Sequence, residues 1–446
     1  MSAAGTREKG SPIRHLLRAL RSRNYRLFVA GQSVSLVGTW MQQVAMSWLV
    51  YRLTNSAMLL GVVGFASQIP TFLISPVAGV LADRWDRRRL LIATQTLAMF
   101  QALLLALIVL TGVVQVWQII VLSLVLGGVN ALDIPIRQSF VVEMVEHRED
   151  LGNAIALNSS MVNGARLIGP SIAGLLVASV GEGICFLLNA VSYLAVIVAL
   201  AAMRVPHRSR HSHPSRHILH ELREGFAYAY EFGPIRSILL LIALVSLVGM
   251  PYAVLVPVFA KDILHGGAHT FGFLMTAAGS GALAGTLYLA SRRSVLGLGR
   301  VIVAATIFFA AGIASFALSG SFPLSLAALA LAGFGAMTLV ASCNTVLQTI
   351  LDEDKRGRVM SFFTMAFIGM APFGSLGAGA MAGMIGPRHT LLIGALGCLV
   401  GAALFARYLP RIREKVRPIY VRMGIIREVA DGMETAAEQP PLREGR

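Results

Sequence analysis

The stretch Gly79–Leu90, with the sequence GVLADRWDRRRL, separates two long apolar runs. Four arginines and two aspartates fall within seven of its residues. Charges at this density are too costly to bury in the hydrocarbon core of a bilayer. The stretch therefore predicts a tight turn at the membrane surface, between two helices that span the membrane.

The composition of the whole chain agrees with a protein that crosses a membrane many times. Of its 446 residues, 56% are hydrophobic and 13% are charged, and the mean hydropathy is +0.70. Soluble domains carry about 25% charged residues. The cysteines Cys185, Cys343 and Cys398 fall singly inside apolar runs, which argues against disulfide or metal sites. We therefore predict an all-α membrane protein with no cofactor and no metal.

Twelve apolar runs reach the roughly 20 residues that a spanning helix requires. Six lie before, and six after, a charged segment in the middle of the chain. The predicted helices lie at 27–51, 58–82, 90–110, 115–133, 153–178, 183–203, 235–260, 270–290, 301–319, 323–350, 359–385 and 389–408. The expected domains are a tail at 1–23, a six-helix bundle at 24–203, a linker with an amphipathic helix at 204–233, a second bundle at 234–409, and a basic, then disordered, tail at 410–446.

The positive charges predict how the chain is oriented in the membrane. If both termini are cytoplasmic, 34 of the 38 Lys and Arg residues lie in cytoplasmic segments. This is the distribution that orients membrane proteins, so it accounts for the net charge of +16 without a nucleic-acid partner. We expect a multi-pass protein of the cell membrane with both termini in the cytoplasm and with anionic lipid at its basic loops.

The two halves of the chain repeat each other. At an offset of 205 residues, five glycines of the first half fall on glycines of the second half. The pairs are Gly128 and Gly333, Gly152 and Gly357, Gly164 and Gly369, Gly169 and Gly374, and Gly174 and Gly379. Repeated bundles joined by a central linker are typical of secondary transporters, whose substrate site lies between the halves. We therefore predict two pseudo-symmetric six-helix bundles and a small-molecule substrate.

The stretch Gly79–Leu90 resembles the loop between helices 2 and 3 of the major facilitator superfamily, G-x-L-a-D-R-x-G-R-R/K. Asp86 stands where that pattern usually has glycine. The variant D-R-x-D-R-R, together with RNYRLF at 23–28, resembles the branch of enterobactin-type siderophore exporters, the transmembrane secretion effector family. The resemblance covers about Arg21 to Leu409 and implies the major facilitator fold. It also implies efflux of a siderophore or drug, by proton antiport, through a monomer.

The same resemblance implies a gate on the cytoplasmic side. Asp83, Arg87 and Asp133 are expected to form a latch that closes this side, since Asp133 lies near the predicted end of helix 4. The alternative is a solvated turn that only fixes topology. The second-half counterpart, Ser291 to Ser294, keeps its arginines and lacks the aspartate. The expected gate residues are Gly79, Asp83, Arg84, Arg87, Arg88 and Asp133.

Helix 5 contains the sequence GARLIGPSIAG at 164–174. Its small residues allow another helix to approach closely, and Pro170 frees a backbone carbonyl. The expected packing residues are Gly164, Gly169, Pro170 and Gly174. The segment resembles the G-P-x-x-x-G motif of superfamily exporters, and ordinary helix packing is the alternative.

Arg166 lies within this helix, where a charge usually faces a cavity or a partner. We expect it to bind an anionic group of the substrate; a structural pair or snorkelling is the alternative. Amides and aromatic rings on other predicted helices suit a bulky amphipathic solute, although each could equally serve packing. The expected cavity residues are Gln32, Trp40, Gln43, Asn130, Asn158, Asn163, Arg166, Asn344, Gln348, Phe363 and Phe367.

Proton coupling rests on few residues. Helices 1, 7 and 10 contain no acid or histidine at mid-membrane, so Asp133 and Glu143 are the candidates for proton coupling.

The five histidines of the linker are interpreted as part of a flexible basic loop. The chain lacks a phosphate-binding G-x-x-x-x-G-K-[ST] loop and the H-E-x-x-H motif, which argues against an enzyme. A non-transporting receptor or structural protein and a major facilitator importer are the remaining alternatives.

Overall fold

The computed structural model describes residues 18–84, 86–204, 228, 230–292 and 294–425; at 75–84, 148, 353 and 354 it describes the backbone alone. Twelve long helices run through this part of the chain. The first six are α1 (Arg23–Thr54), α2 (Ala57–Arg84), α3 (Arg87–Leu110), α4 (Val116–Met144), α5 (Leu151–Val180) and α6 (Glu182–Ala202). The others are α7 (Gly233–Ile263), α8 (Ala268–Ser291), α9 (Leu298–Leu318), α10 (Phe322–Ile350), α11 (Glu353–Phe367 and Ala371–Ile385) and α12 (Pro387–Arg422).

Each helix corresponds to one of the twelve predicted spans. Eleven helices of the described part are long and apolar enough to cross a membrane; α1 is not among these eleven. The reason is its polar content, because Gln32, Ser35 and Gln42 are buried inside the first bundle. The predicted all-α architecture of twelve long helices is therefore confirmed for the described residues.

Two helices extend well beyond their predicted ends. Helix α4 continues to Met144, and α12 continues to Arg422. The added turns of α4 bury Phe140 and Met144 against Tyr25 and Phe28 of α1 in a separate small core. Hydropathy marks where a helix leaves hydrocarbon, and it cannot show that packing against neighbours continues the helix into water.

The repeat seen in the glycines is also a repeat of helix ends. Helix α5 ends at Val180 and α11 at Ile385, and the next helices begin at Glu182 and Pro387. Gly181 and Gly386 separate these pairs and have φ angles of +84° and +88°. A residue with a Cβ atom is strained in this left-handed region, so glycine is required at both equivalent corners.

Helices α7 and α11 are irregular where they meet. Helix α7 contains π-helical turns at Val245–Gly249 and Phe259–Ile263, and α11 breaks between Phe367 and Ala371. The Ser246 hydroxyl donates a hydrogen bond to the Phe367 carbonyl, which the break leaves without a helical donor. Deviations of this kind are common at functional sites and kinks, and here they lie in the helices that face the first half.

Three parts of the sequence interpretation lie outside the described residues. They are most of the linker with its histidines and amphipathic segment, the tail before residue 18, and the tail after residue 425. Within the described part, the three cysteines are buried and free.

Candidate functional site

The two halves meet through two close helix crossings on the side away from the chain termini. A Cβ atom on Gly174 of α5 would lie 3.0 Å from the Gly272 Cα atom of α8. A Cβ atom on Gly379 of α11 would lie 2.8 Å from the Gly61 Cα atom of α2. Backbone atoms cannot move aside as a flexible side chain can. Each crossing therefore depends on having glycine on both helices.

Aromatic side chains of the two halves pack against each other on this closed side. Trp48 of α1 stacks on Phe271 of α8 with ring centroids 6.3 Å apart. Phe373 of α11 makes edge contacts with Phe65 and Phe72 of α2, at 6.0 and 5.9 Å. Contacts of this type between rings add about 0.5–1.5 kcal/mol beyond the area that they bury.

Four residues form a polar clasp at the outermost end of the closed side: Tyr51 and Asn55 from the first half, and Lys261 and Asp262 from the second. The Tyr51 hydroxyl donates to the Asp262 carboxylate, and Lys261 Nζ donates to Asn55 Oδ1 at 2.6 Å. The Lys261 ammonium also lies 5.6 Å from the centroid of the Tyr51 ring. Lys261 and Asp262 are adjacent in sequence, and both bind across to the first half.

Replacing Lys261 with alanine should loosen the closed side. The substitution removes one hydrogen bond between the halves, worth about 0.5–1.5 kcal/mol, so the share of molecules with that side open should rise about fivefold. A cysteine placed at Ser171, inside the closed interface, should then react faster with a membrane-impermeant maleimide added outside. Arg388→Ala, which removes a charge from the same side, is the control. Equal labelling rates in the two variants would contradict this role for the clasp.

Polar side chains on the opposite side bond within their own helix. Asn163 donates to the Ser159 carbonyl at 3.0 Å, and Gln348 donates to Asn344 Oδ1 at 3.1 Å. Gln348 and Ser159 are exposed, although each lies in a helix that must cross hydrocarbon. Gln348 lies two residues before the end of α10. The contacts between the halves named above all lie on the side away from the termini. A water-filled cavity between the bundles, open toward the termini, therefore stays a prediction.

Arg166 lies at the midpoint of α5, where the closed interface meets the predicted cavity. Its backbone carbonyl would be 3.1 Å from a Cβ atom on Gly279 of α8, so the halves touch at this level. The guanidinium lies over the Trp40 ring, 5.4 Å from its centroid. Arg166 is half-buried, and both halves contribute to its surroundings.

Arg166 forms no ion pair with any carboxylate that the structure describes. Three acids of the first half form ion pairs with other arginines. These pairs are Asp133–Arg137, Glu143–Arg87 and Glu182–Arg52. A cation at mid-membrane without an acid is costly unless water or a bound anion solvates it. The arrangement can therefore hold an anionic group in the cavity.

The remaining residues of the predicted cavity divide into two groups. Trp40, Gln43, Asn130, Asn158, Asn163, Asn344 and Gln348 are half-buried or exposed, so their predicted place at the cavity stays a prediction. Gln32 is only 2% exposed, and its Oε1 atom has no hydrogen-bond partner. Phe363 and Phe367 pack with the core of the second bundle. The predicted place of these three residues at the cavity also stays a prediction.

The predicted latch needs a correction. Arg87 Nη1 lies 2.9 Å from Glu143 Oε1, whereas Asp133 accepts hydrogen bonds from Thr94 and Gln95 at 2.9 and 2.7 Å. In this structure Arg87 therefore pairs with Glu143 and not with Asp133, and the latch stays a prediction for the state in which the cytoplasmic side is closed. The reason is the length of α4, which places Glu143, rather than Asp133, at its end. Arg88 donates to the Leu200 and Ala201 carbonyls at the end of α6.

The other predicted gate residues, Gly79, Asp83 and Arg84, belong to the part of α2 whose side chains lie outside the description.

The structure describes the packing of the helix 5 motif. Gly169 allows α1 to approach at Trp40, whose Cβ atom would be 2.6 Å from an added Cβ. Gly164 has open space around it, so of the three glycines only Gly169 and Gly174 make close contacts.

The sequence interpretation missed two features of the site. The clasp residues Tyr51 and Asn55 were not singled out; the φ angle of +48° at Asn55 marks a left-handed corner that its residue type favours. Gln42 was passed over in favour of Gln43. Gln42 donates to Gln101 and accepts from Asn189, at 3.0 and 2.7 Å, inside the first bundle.

Comparison with known proteins agrees with this architecture. The sequence profile of the transmembrane secretion effector family matches residues 16–419, which is most of the chain. The chain belongs to this family. Members of the family are transporters of the major facilitator superfamily, so this chain is a multi-pass membrane transporter and not an enzyme.

Individual proteins are similar to the chain over most of their length. The staphyloferrin A transporter of Staphylococcus aureus is 25% identical, over 82% of this chain and 91% of its own. The multidrug efflux pump Tap of Mycolicibacterium fortuitum is 26% identical, over 83% and 92%. A bacterial homologue of the human lysosomal transporter Spinster, solved in an inward-facing, unoccupied conformation, has a TM-score of 0.67 at 15% identity, over 89% and 97%.

Proposed function

We propose that this transporter exports a small amphipathic molecule with an anionic group from the cytoplasm, by alternating access and in exchange for protons. The observation that carries the proposal is Arg166, a mid-membrane guanidinium that pairs with no described carboxylate. An anionic substrate supplies the missing charge when it binds. The bound substrate then interacts at the level where the two halves meet. There it can shift the equilibrium between the two transport states.

The surroundings of Arg166 support an amphipathic substrate. Trp40 places an aromatic ring near the guanidinium, and Asn163 lies less than one turn earlier on α5. Sites of this kind orient a ligand through a few polar groups and bind its body through apolar surface. A simple ion would leave this apolar surface uncovered.

The proposed direction rests on the arrangement of the helices and on the relatives. With the termini in the cytoplasm, as the positive charges favour, the open cavity faces the cytoplasm and the glycine crossings close the external side. This is the state in which an exporter loads its substrate. Two relatives bear names that describe multidrug efflux and staphyloferrin A transport, and siderophores or drugs are accordingly the substrate classes to screen first.

Asp133 is the proposed proton carrier. It is 4% exposed, on α4, and its carboxylate binds Thr94 and Gln95 of α3 and lies 3.6 Å from Arg137. Protonation of Asp133 removes the negative charge that holds Arg137. The arginine can then form a contact with a different group. Pro135 lies within the same turn of α4 and leaves a backbone carbonyl without its helical donor.

Asp133→Asn should remove proton coupling and leave substrate binding intact. The amide keeps the shape of the carboxyl group and cannot release a proton at any working pH. In everted vesicles, a pH gradient should accelerate substrate uptake by the parent protein and have no effect on uptake by this variant. Glu143→Gln, which breaks the Arg87 pair on the same helix, is the matched control and should keep its response to the gradient. Full stimulation of Asp133→Asn would contradict this assignment.

The export function is tested by a substrate screen in everted membrane vesicles. The panel contains siderophores and macrolides, each compared with carboxylate, neutral and amine-bearing analogues where these exist. We expect uptake of carboxylate-bearing compounds, which a protonophore abolishes. Uptake into right-side-out vesicles, with a proton gradient directed into the lumen, would instead indicate an importer.

A further inference from the structure

A groove of about 350 Å³ runs along the outer surface of the second bundle, between α8 and α9. Both helices pack closely on α10. Gly285 of α8 approaches the Phe334 carbonyl of α10, and Gly335 of α10 approaches the Ala305 carbonyl of α9. Helices α8 and α9 thus hold opposite flanks of α10, and the half-buried Phe334 and the buried Thr338 of α10 form the floor of the groove.

The walls of the groove are aromatic. Phe334 on the floor lies 5.9 Å from the Tyr288 ring of α8 and 6.2 Å from the Phe308 ring of α9, measured between centroids. Tyr288 and Phe308 are 39% and 44% exposed. Helix α9 packs mainly on α10 and α12 of its own bundle. The groove beside it therefore lies at the outer surface of the second bundle, which lipid covers.

The end of the groove nearest the chain termini is basic. Arg300, in the first turn of α9, lines the groove and is exposed. Arg292, just after α8, donates to the Tyr288 hydroxyl at 3.2 Å and to the Leu296 carbonyl at 2.9 Å. Its Nε atom is buried without a hydrogen-bond partner. Neither arginine forms an ion pair with any carboxylate that the structure describes.

We infer that this groove binds an anionic phospholipid, with one acyl chain along the aromatic walls and the phosphodiester at Arg300 and Arg292. The chemistry of the two ends of the groove favours an anionic phospholipid. The walls offer apolar surface at the depth of lipid tails, and the unpaired guanidiniums lie at the headgroup end, where planar donors suit phosphate oxygens. Positive charge at this end and no described acid beside it exclude a zwitterionic headgroup as the preferred ligand.

Native mass spectrometry of the detergent-purified, full-length protein tests the site. Phosphatidylglycerol and phosphatidylcholine with identical acyl chains are titrated separately, and inorganic phosphate is added in a parallel series. Arg300→Gln removes the headgroup contact, and Ala304→Leu fills the exposed wall of the groove without changing charge. Arg356→Gln removes a positive charge from the same side of the protein, away from the groove, and serves as the control.

We expect one tightly held phosphatidylglycerol in the parent protein and in Arg356→Gln. Its affinity should fall about tenfold in Arg300→Gln, as for loss of one charge-assisted contact, and also in Ala304→Leu. Phosphatidylcholine should bind more weakly than phosphatidylglycerol, and phosphate should not displace the bound lipid. Three results would overturn the inference: unchanged lipid affinity in both groove variants, equal affinity for the two lipids, or displacement of the lipid by phosphate. Melting temperatures of the variants without added lipid separate lost binding from misfolding.

Discussion

Arg166→Ala should lower the affinity for a carboxylate-bearing substrate by about 10- to 100-fold. A hydrogen bond to a charged group contributes about 1.5–3 kcal/mol, and each 1.4 kcal/mol is a factor of ten in the dissociation constant. The affinity for the methyl ester of the same compound should change less than about threefold, since the ester lacks the charge that Arg166 binds. Radioligand binding to the purified variants measures both constants.

Two further variants define the role of Arg166. Arg166→Lys keeps the positive charge but loses the planar guanidinium, whose paired N–H donors match a carboxylate. It should therefore recover part of the affinity for the carboxylate-bearing substrate. Arg411 lies 5.9 Å from the centroid of the Tyr408 ring near the end of α12, outside the cavity. Arg411→Ala therefore removes a similar arginine–aromatic pair and should leave binding unchanged. Equal losses for the carboxylate and the ester in Arg166→Ala would show a structural role in place of anion binding.

Gly379→Val should force the external side open and abolish transport. The first atom of any side chain at this position would be 2.7 Å from the Ala57 carbonyl and 2.8 Å from the Gly61 Cα atom. Overpacking of this kind costs about 1–3 kcal/mol, and only the externally closed state bears the cost. The equilibrium should therefore shift about 5- to 150-fold toward the externally open state.

Distances between spin labels at Ser56 and Met384 report this shift, because these residues lie at the external ends of the first and second halves. The parent protein should give one short distance, and Gly379→Val should give a longer one. Gly377, on the same helix two residues away, has open space where a Cβ atom would lie, so Gly377→Val is the matched control. A short distance in both variants would show that the α2–α11 crossing does not hold the external side closed.

The helix count and the division into two halves could be predicted because both follow from local composition. Runs of about 20 apolar residues and paired glycines remain visible however the helices pack. The corner glycines Gly181 and Gly386 continue the same repeat, since their left-handed φ angles leave no other common choice. The end of α4 could not be predicted, because its last turns are held by contacts with α1 that are remote in sequence.

The site was less accessible to sequence analysis than the fold. Arg166 could be found because a charge inside an apolar helix is conspicuous, and Asp133 and Glu143 were recognised as the acids of α4. Their partners depend on helix length and rotation. Gln42 and Gln43 are neighbours in sequence; one is buried among amides and the other is exposed, a difference set by about 100° of helix rotation. Composition alone cannot fix that rotation.

Simultaneous recording of substrate and proton movement tests the central claim most directly. Everted vesicles that contain the parent protein or Arg166→Ala are loaded with a pH-sensitive dye and given a carboxylate-bearing compound identified by the screen. The proposal predicts that the parent protein takes up the compound while protons leave the vesicle lumen, and that Arg166→Ala does neither at the same concentration. Uptake by Arg166→Ala at the parental rate, or uptake without proton movement, would contradict it.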